Sequence, residues 1–328
     1  MITFDKTARS TPGGRKAGES RSAEHVIRLE NLTKDYDRLR AVDDLSLEIR
    51  GGEILGFLGP NGAGKTTTIN MICGTARPSA GQVRFSGGDL KGHLGLCPQE
   101  NVYWPKLTCT EQLVFMGEMY GMPRRRAQKR AAELLERLGL SEKARVLAAR
   151  LSGGMKRRLN LCLGLIHDPK ILILDEPEAG LDPQSRILVR EFIRSLAKQK
   201  TVVLTTHNMD EADRLSDRVA IIDRGRLLLL ETPANLKRSI GEGDILEITL
   251  RNPAKHLPQT AAEALSALTR RIQVRDKTLI LKSKDMIQSL PAITQVLEKA
   301  GLGIAGITMR ENTLEDVFIH LTGKNLRE

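Results

Sequence analysis

The chain has 328 residues, a formal net charge of +11, 28 % charged residues and 3 % aromatic residues. That length holds about two domains. No run approaches the ~18 apolar residues of a membrane-spanning helix, which excludes a complete channel or carrier in one polypeptide. Four cysteines, at 73, 97, 109 and 162, show no Cys-x-x-Cys spacing, which argues for reduced thiols rather than a disulfide framework or metal site.

In chain order, residues 1–24 carry Ser10-Thr11-Pro12-Gly13-Gly14 and scattered charges. They read as a disordered basic tail. With no apolar signal-peptide core there, the protein is expected to stay in the cytoplasm. Val26–Leu29 and Leu45–Ile49 alternate apolar with polar residues and predict antiparallel strands. Glu53–Leu58 predicts a short buried strand, and Thr66–Ile72 the first turns of a helix. Between them lies Gly59-Pro60-Asn61-Gly62-Ala63-Gly64-Lys65-Thr66, followed by Thr67. Glycines in this strand–loop–helix setting let backbone N–H groups converge on phosphate oxygens. The helix behind them turns its positive end toward the same anion. Lys65 is placed to reach the terminal phosphates of a nucleoside triphosphate, and the Thr66 hydroxyl to ligand Mg²⁺.

Further on, 93 residues after Gly59, Leu151-Ser152-Gly153-Gly154-Met155-Lys156-Arg157-Arg158 opens a helix with Ser152 as its N-cap. Ile171–Leu174 is a continuous apolar run and predicts a central strand of a parallel sheet, covered on both faces. The strand ends in Asp175, a candidate Mg²⁺ ligand at the sheet's C-terminal edge, and Glu176, a candidate general base for the attacking water.

Together these motifs resemble those of an ATP-binding cassette ATPase, the motor subunit of ABC transport systems. The resemblance implies an α/β P-loop fold with a parallel core sheet, an antiparallel β subdomain and a helical subdomain, spanning residues 25–240. It also implies roles for further residues. Tyr36 is similar to the aromatic residue that stacks on adenine, and Gln99 to the glutamine that touches Mg²⁺. Asp182, in Ala179-Gly180-Leu181-Asp182, is similar to the residue that communicates across the dimer interface. His207 is similar to the histidine that contacts the γ-phosphate. Ser152, Gly153 and Gly154 are implied to act in trans, on the ATP held by a second subunit, with Asp182 beside them. The implied cofactors are ATP and Mg²⁺. The implied partners are a second cassette, identical or homologous, and a separate transmembrane permease at the cytoplasmic face of the cell membrane. The segment from Gly81 to Gln99 is shorter than the family's usual length. Glu178 stands where a small or hydroxylated residue is usual, and its role is not apparent from the sequence.

Residues 121–160 carry twelve Lys or Arg against three Glu. Positive charge is the footprint of nucleic-acid binding, but the chain lacks the aromatic residues and any recognisable module that would support it. A solvated face, or one near anionic lipid, is expected instead. Repair-type cassette ATPases insert a long coiled coil between the two motifs, and ribosome-type ones carry two cassettes. The 93-residue spacing and the single phosphate loop fit neither alternative.

Residues 241–328 predict the order βαββαβ, a ferredoxin-like accessory or regulatory domain. A closing helix capped by Thr313 follows. Its Leu314, Val317, Phe318 and Leu321 form an apolar stripe, and Glu315, Asp316 and His320 are expected to face away. This ending resembles the tail of daunorubicin-resistance-type exporter ATPases.

Overall fold

A computed structural model of the chain describes residues 25–86, 92–240, 244–252, 257–269, 271–283 and 286–323. The tail expected over residues 1–24, and part of the shortened segment before Gln99, lie outside the described residues. Two compact units divide the chain, Met1–Pro233 and Ala234–Glu328.

The first unit contains β1 (His25–Tyr36), β2 (Leu39–Arg50), β3 (Ile54–Leu58), α1 (Lys65–Ile72), β4 (Ala80–Phe85), β5 (Leu94–Cys97), α2 (Cys109–Met119) and α3 (Arg124–Arg137). After these come α4 (Gly153–Leu165), β6 (Ile171–Asp175), α5 (Pro183–Leu196), β7 (Thr201–Thr206), α6 (Met209–Leu215), β8 (Arg218–Asp223) and β9 (Arg226–Glu231). β2, β1 and β4 form an antiparallel sheet in that order. The main sheet runs β5-β6-β7-β3-β8-β9; all its pairings are parallel except β8 with β9.

Every residue of β3, β6 and β7 is buried, because both faces of the main sheet are covered. Leu172, Leu174, Val202 and Leu204 point into a core shared with α2, α3, α4 and α5. Ile171, Ile173, Val203, Leu55 and Phe57 point the other way, onto α1 and the antiparallel sheet. Strand order reverses around β3, whose C-terminal end opens into the phosphate loop. That switch point is where an open α/β sheet leaves room for a ligand.

Beyond Pro233 the chain forms α7 (Pro233–Ser239), β10 (Asp244–Leu250), α8 (Gln259–Leu268), β11 (Arg271–Arg275), β12 (Thr278–Ser283), α9 (Met286–Lys299), β13 (Ile304–Arg310) and α10 (Leu314–Thr322). α7 therefore groups with this second unit rather than with the cassette. The sheet order β11-β12-β10-β13 is antiparallel throughout. Leu246, Ile248, Leu279 and Leu281 pack beneath Leu265, Ile293 and Leu297 of the two long helices. In α10, Leu314, Val317 and Phe318 are buried, whereas Leu321 is 39 % exposed, so the stripe is three residues long. Asp316 does not face away. It caps the helix through Thr313 and receives hydrogen bonds from Arg310 at 2.6 and 3.2 Å, an attraction that holds its carboxyl below the usual carboxylate range despite partial burial.

Three thiols, Cys97, Cys109 and Cys162, are buried in the first unit, Cys73 is half-buried, and all four are free. Burial pushes the Cys97 thiol up to about 11 and the Cys73 thiol to about 12.

Charge is also buried where α5 and α6 cover the ends of β6 and β7. Glu178 is 4 % exposed and accepts two hydrogen bonds from Arg190, both at 2.8 Å, in a bidentate pair. This pairing explains Glu178, since a buried carboxylate needs such a partner. Glu211 is 3 % exposed and accepts a 2.6 Å hydrogen bond from the Thr206 hydroxyl, while its second oxygen has no partner. Desolvation raises its carboxyl from 4.5 to about 8.

β5 touches α4 through Gly95, where an added Cβ would lie 2.1 Å from the Gly164 carbonyl oxygen. Gly95→Ala is therefore expected to lower stability by about 1–3 kcal/mol through overpacking, read as a lower urea midpoint. Glu211 is expected to make stability fall with pH. Between 4.5 and about 8 the folded state holds a proton that the unfolded chain has released. The slope approaches about 1.4 kcal/mol per pH unit. Glu211→Gln keeps the Thr206 contact and removes that slope, so its stability relative to the parent should rise from pH 6 to pH 8 in denaturant titrations.

Candidate functional site

The phosphate loop is shaped by contacts that only glycine allows. Gly64 has φ +98°, and a Cβ there would meet the Ala41 carbonyl at 2.4 Å. A Cβ on Gly59 would meet the Ile222 carbonyl at 2.2 Å. Gly64 is the N-cap of α1 and supplies no side-chain cap, so the helix offers its first backbone N–H groups to whatever occupies the loop. Lys65 is buried; its ammonium donates to the carbonyls of Gly59 (2.8 Å) and Pro60 (3.0 Å). Desolvation lowers its proton affinity, and the nearby Glu176 and Asp175 carboxylates partly restore it.

The parallel register places Asp175 beside Thr205 and Leu58 beside Thr206. Three strand ends therefore stand level around the loop. The hydroxyls of Thr205 and Thr66 both donate to Asp175 Oδ1, the latter at 3.5 Å. Glu176 follows in a left-handed conformation, φ 49°, unusual for a residue other than glycine. Its N–H donates to the carbonyl and hydroxyl oxygens of Thr205, each at 3.1 Å. This turn points the Glu176 carboxylate into the cleft. There Oε1 lies 2.9 Å from His207 Nδ1, and Oε2 accepts from the Gln99 amide at 3.4 Å.

Lys65, Thr66, Gln99, Asp175, Glu176 and His207 are thus brought together from four separate places in the sequence. The cleft beside them has a volume of about 640 Å³. Its walls include Asn61, Gly62, Ala63, Gly64, Thr67 and, at the far side, Tyr36. The Tyr36 ring is 45 % exposed, with the Lys34 ammonium 4.7 Å from its centroid, an open aromatic face suited to stacking.

Ser152, Gly153, Gly154 and Asp182 are not among the residues lining this cleft. They stand together elsewhere. Ser152 caps α4 by accepting from the Met155 N–H, Asp182 caps α5 by accepting from the Ser185 N–H, and a Cβ on Gly154 would lie 3.4 Å from Asp182 Oδ2. Two helix N-termini are thereby paired, with Ser152 and Asp182 exposed.

The sequence reading missed Thr205, Arg157 and the cleft residues Arg40 and Arg224. Thr205 had a signal, a hydroxyl directly after the apolar run Val202-Val203-Leu204. Arg157 had none, because it stands in a run of basic residues that reads as solvated charge.

Residues 42–179 match the family described as ABC transporter. The linearmycin resistance ATP-binding protein of Bacillus subtilis is 36 % identical over 92 % of this chain and its own full length. The Nod factor export ATP-binding protein I of Ralstonia nicotianae is 38 % identical over 92 % of this chain and 95 % of that protein. For the daunorubicin/doxorubicin resistance ATP-binding protein of Streptomyces peucetius the figures are 38 %, 91 % and 92 %. Among solved structures, an ABC transporter ATP-binding subunit superposes with TM-score 0.60 and 26 % identity, over 66 % of this chain and 93 % of that one. A dimeric cassette in a post-hydrolysis state with ADP and phosphate gives TM-score 0.59 and 26 % identity, over 63 % of this chain and 98 % of that one. Level strand ends, a glycine-built phosphate loop and relatives matched along nearly the whole chain agree: the chain belongs to the ATP-binding cassette family of ABC transporter ATPases.

Proposed function

We propose that this chain is the energising subunit of an exporter, hydrolysing ATP at the cytoplasmic face of the cell membrane to drive a separate transmembrane permease. One observation carries the reading. The Glu176 carboxylate is held between His207 and Gln99 at the switch point, beside a loop shaped for phosphate. Relatives named for drug resistance and for Nod factor export support the exporter direction. Among the described residues no helix is long and apolar enough to cross a membrane, which fits a permease on another polypeptide.

In this reading the N–H groups of Gly62 to Thr67 cradle the phosphates, and Lys65 leaves its two loop carbonyls for the terminal phosphate oxygens. Tyr36 stacks on the base. Thr66, Asp175 and Gln99 supply hard oxygen donors that suit Mg²⁺, with Thr66 and Asp175 already in contact. Bound there, Mg²⁺ would neutralise charge on the phosphates. Glu176 accepts the proton of the attacking water. His207 holds the carboxylate from one side and faces the γ-phosphate from the other.

The paired helix ends at Ser152-Gly153-Gly154 and Asp182 complete the site in trans, in a head-to-tail dimer with a second copy or a close homologue. Helix N-termini offered across an interface stabilise γ-phosphate charge without reorganising at the moment of reaction. ATP joins the two subunits and hydrolysis lets them part. The cargo path belongs to the permease.

Glu176→Gln is expected to keep ATP affinity within about threefold while turnover falls by at least about 100-fold, in line with general-base loss. Steady-state phosphate release checks this, and turnover near the parent rate would remove Glu176 as base. Lys65→Ala should instead weaken ATP binding itself. The Glu176→Gln protein should sediment as a dimer only with ATP and Mg²⁺. Adding Ser152→Arg should abolish that dimer while ATP still binds.

A further inference from the structure

Arg157 lies five residues after Ser152, near the start of α4, and is 2 % exposed. A guanidinium carries five N–H donors in a fixed planar fork. Here five backbone carbonyls accept from it. Nε donates to Pro177 (3.3 Å), Nη1 to Pro98 and to Gln99 (3.0 Å), and Nη2 to Asp175 and to Glu176 (2.9 Å).

The acceptors fall in two groups. Pro98 and Gln99 leave the end of β5, and Asp175, Glu176 and Pro177 make the turn after β6. That turn contains the left-handed Glu176, which bends three successive carbonyls toward one point. The Glu176 carbonyl also accepts from the Ala179 N–H (3.1 Å) and the Pro98 carbonyl from the Asn160 amide (3.4 Å), but the buried Asp175 and Pro177 carbonyls would lose the guanidinium as donor, and a buried orphan costs about 1–3 kcal/mol. The buried cation thus holds the backbone of Asp175 and Glu176.

We infer that Arg157 is a positioning residue for ATP hydrolysis: it fixes Glu176 and Gln99 relative to each other and ties both to the helix that carries Ser152-Gly153-Gly154. Any tilt of α4 then moves the general base of the same subunit and the start of the Gln99 loop together. A subunit whose signature helix is engaged by its partner thereby sets its own carboxylate. The inference rests on the reading of Glu176 and Gln99 as hydrolytic groups. Lysine at this position keeps the charge but has at most three donors on one atom, so it cannot serve two segments in a plane.

The test uses the full chain with Mg²⁺ and ATP, below the melting temperature of each variant. Arg157→Lys is expected to lower kcat 10- to 100-fold while KM and Kd for ATP stay within threefold. The chain has a single tryptophan, Trp104, five residues beyond Gln99 and edge-on to Phe115 at 5.4 Å. Its emission should change when ATP binds to the hydrolysis-deficient Glu176→Gln protein, and that change should be lost in Arg157→Lys/Glu176→Gln. A purely structural arginine would lower the melting temperature without splitting kcat from KM or silencing Trp104. Turnover of Arg157→Lys within twofold of the parent, or an intact Trp104 response, overturns the inference. If Arg157→Lys does not fold, Arg157→Gln takes the same readouts; failure of both to fold at any temperature makes Arg157 a folding requirement and also overturns it. Glu176→Gln measured alongside separates the two claims. Parental turnover there removes the Glu176 assignment, whereas an inactive Glu176→Gln beside a fully active Arg157→Lys removes only the positioning role.

Discussion

The register of three parallel strands, with Asp175 opposite Thr205 and Leu58 opposite Thr206, decides where each reactive group stands. A slip of one residue would turn the side chains of a strand to the opposite face. Leu172 and Leu174 would leave the core shared with the helices, and Asp175 would lose Thr205. Hydrophobic burial on both faces therefore locks the register, and the register brings Thr66, Asp175, Glu176 and His207 together beside one cleft. Packing energy and chemistry are the same constraint seen from two ends of the strands.

Around those strand ends the molecule gathers buried ionisable side chains, Lys65, Arg157, Asp175, Glu176, Glu178 and Glu211, with the half-buried Arg190 beside them. Each has its own compensation. Arg157 faces carbonyls, Glu178 faces Arg190, and Glu211 takes one hydroxyl and holds its proton. Such groups rarely improve stability over apolar ones of the same shape. Their value is orientation, because a charge fixed by several hydrogen bonds has one position. The three strand-to-loop turns that frame the cleft are held this way.

Much of this was legible in the sequence, for identifiable reasons. The phosphate loop is read from spacing because its glycines have no substitute where a Cβ would strike Ile222 or Ala41. The strand ending in Asp175-Glu176 is read from an apolar run too uniform for a half-exposed strand. What could not be read was pairing across distance. Arg157 and Glu178 are ordinary charged residues until the fold places carbonyls or Arg190 beside them. The stripe on α10 was read one residue too long, since helical periodicity says which face Leu321 shares but not where the covering surface stops. Asp316 was misplaced for a related reason: its partner Arg310 sits in the preceding strand, not on its own helix. The grouping of α7 with the second unit follows from packing alone and leaves no mark on composition.

The cysteines carry a last consequence. Attack by a thiol-directed oxidant or alkylating agent needs the thiolate. With Cys97 pushed up to about 11, on the order of one molecule in ten thousand carries that anion at neutral pH. Cys97, Cys109 and Cys162 are also shut away from solvent, and Cys73, at the end of the helix behind the phosphate loop, is held protonated still more firmly. The cysteines of the folded protein are thus poor targets for thiol-directed reagents. Unfolding exposes all four thiols, so thiol oxidation falls more heavily on damaged copies than on working ones.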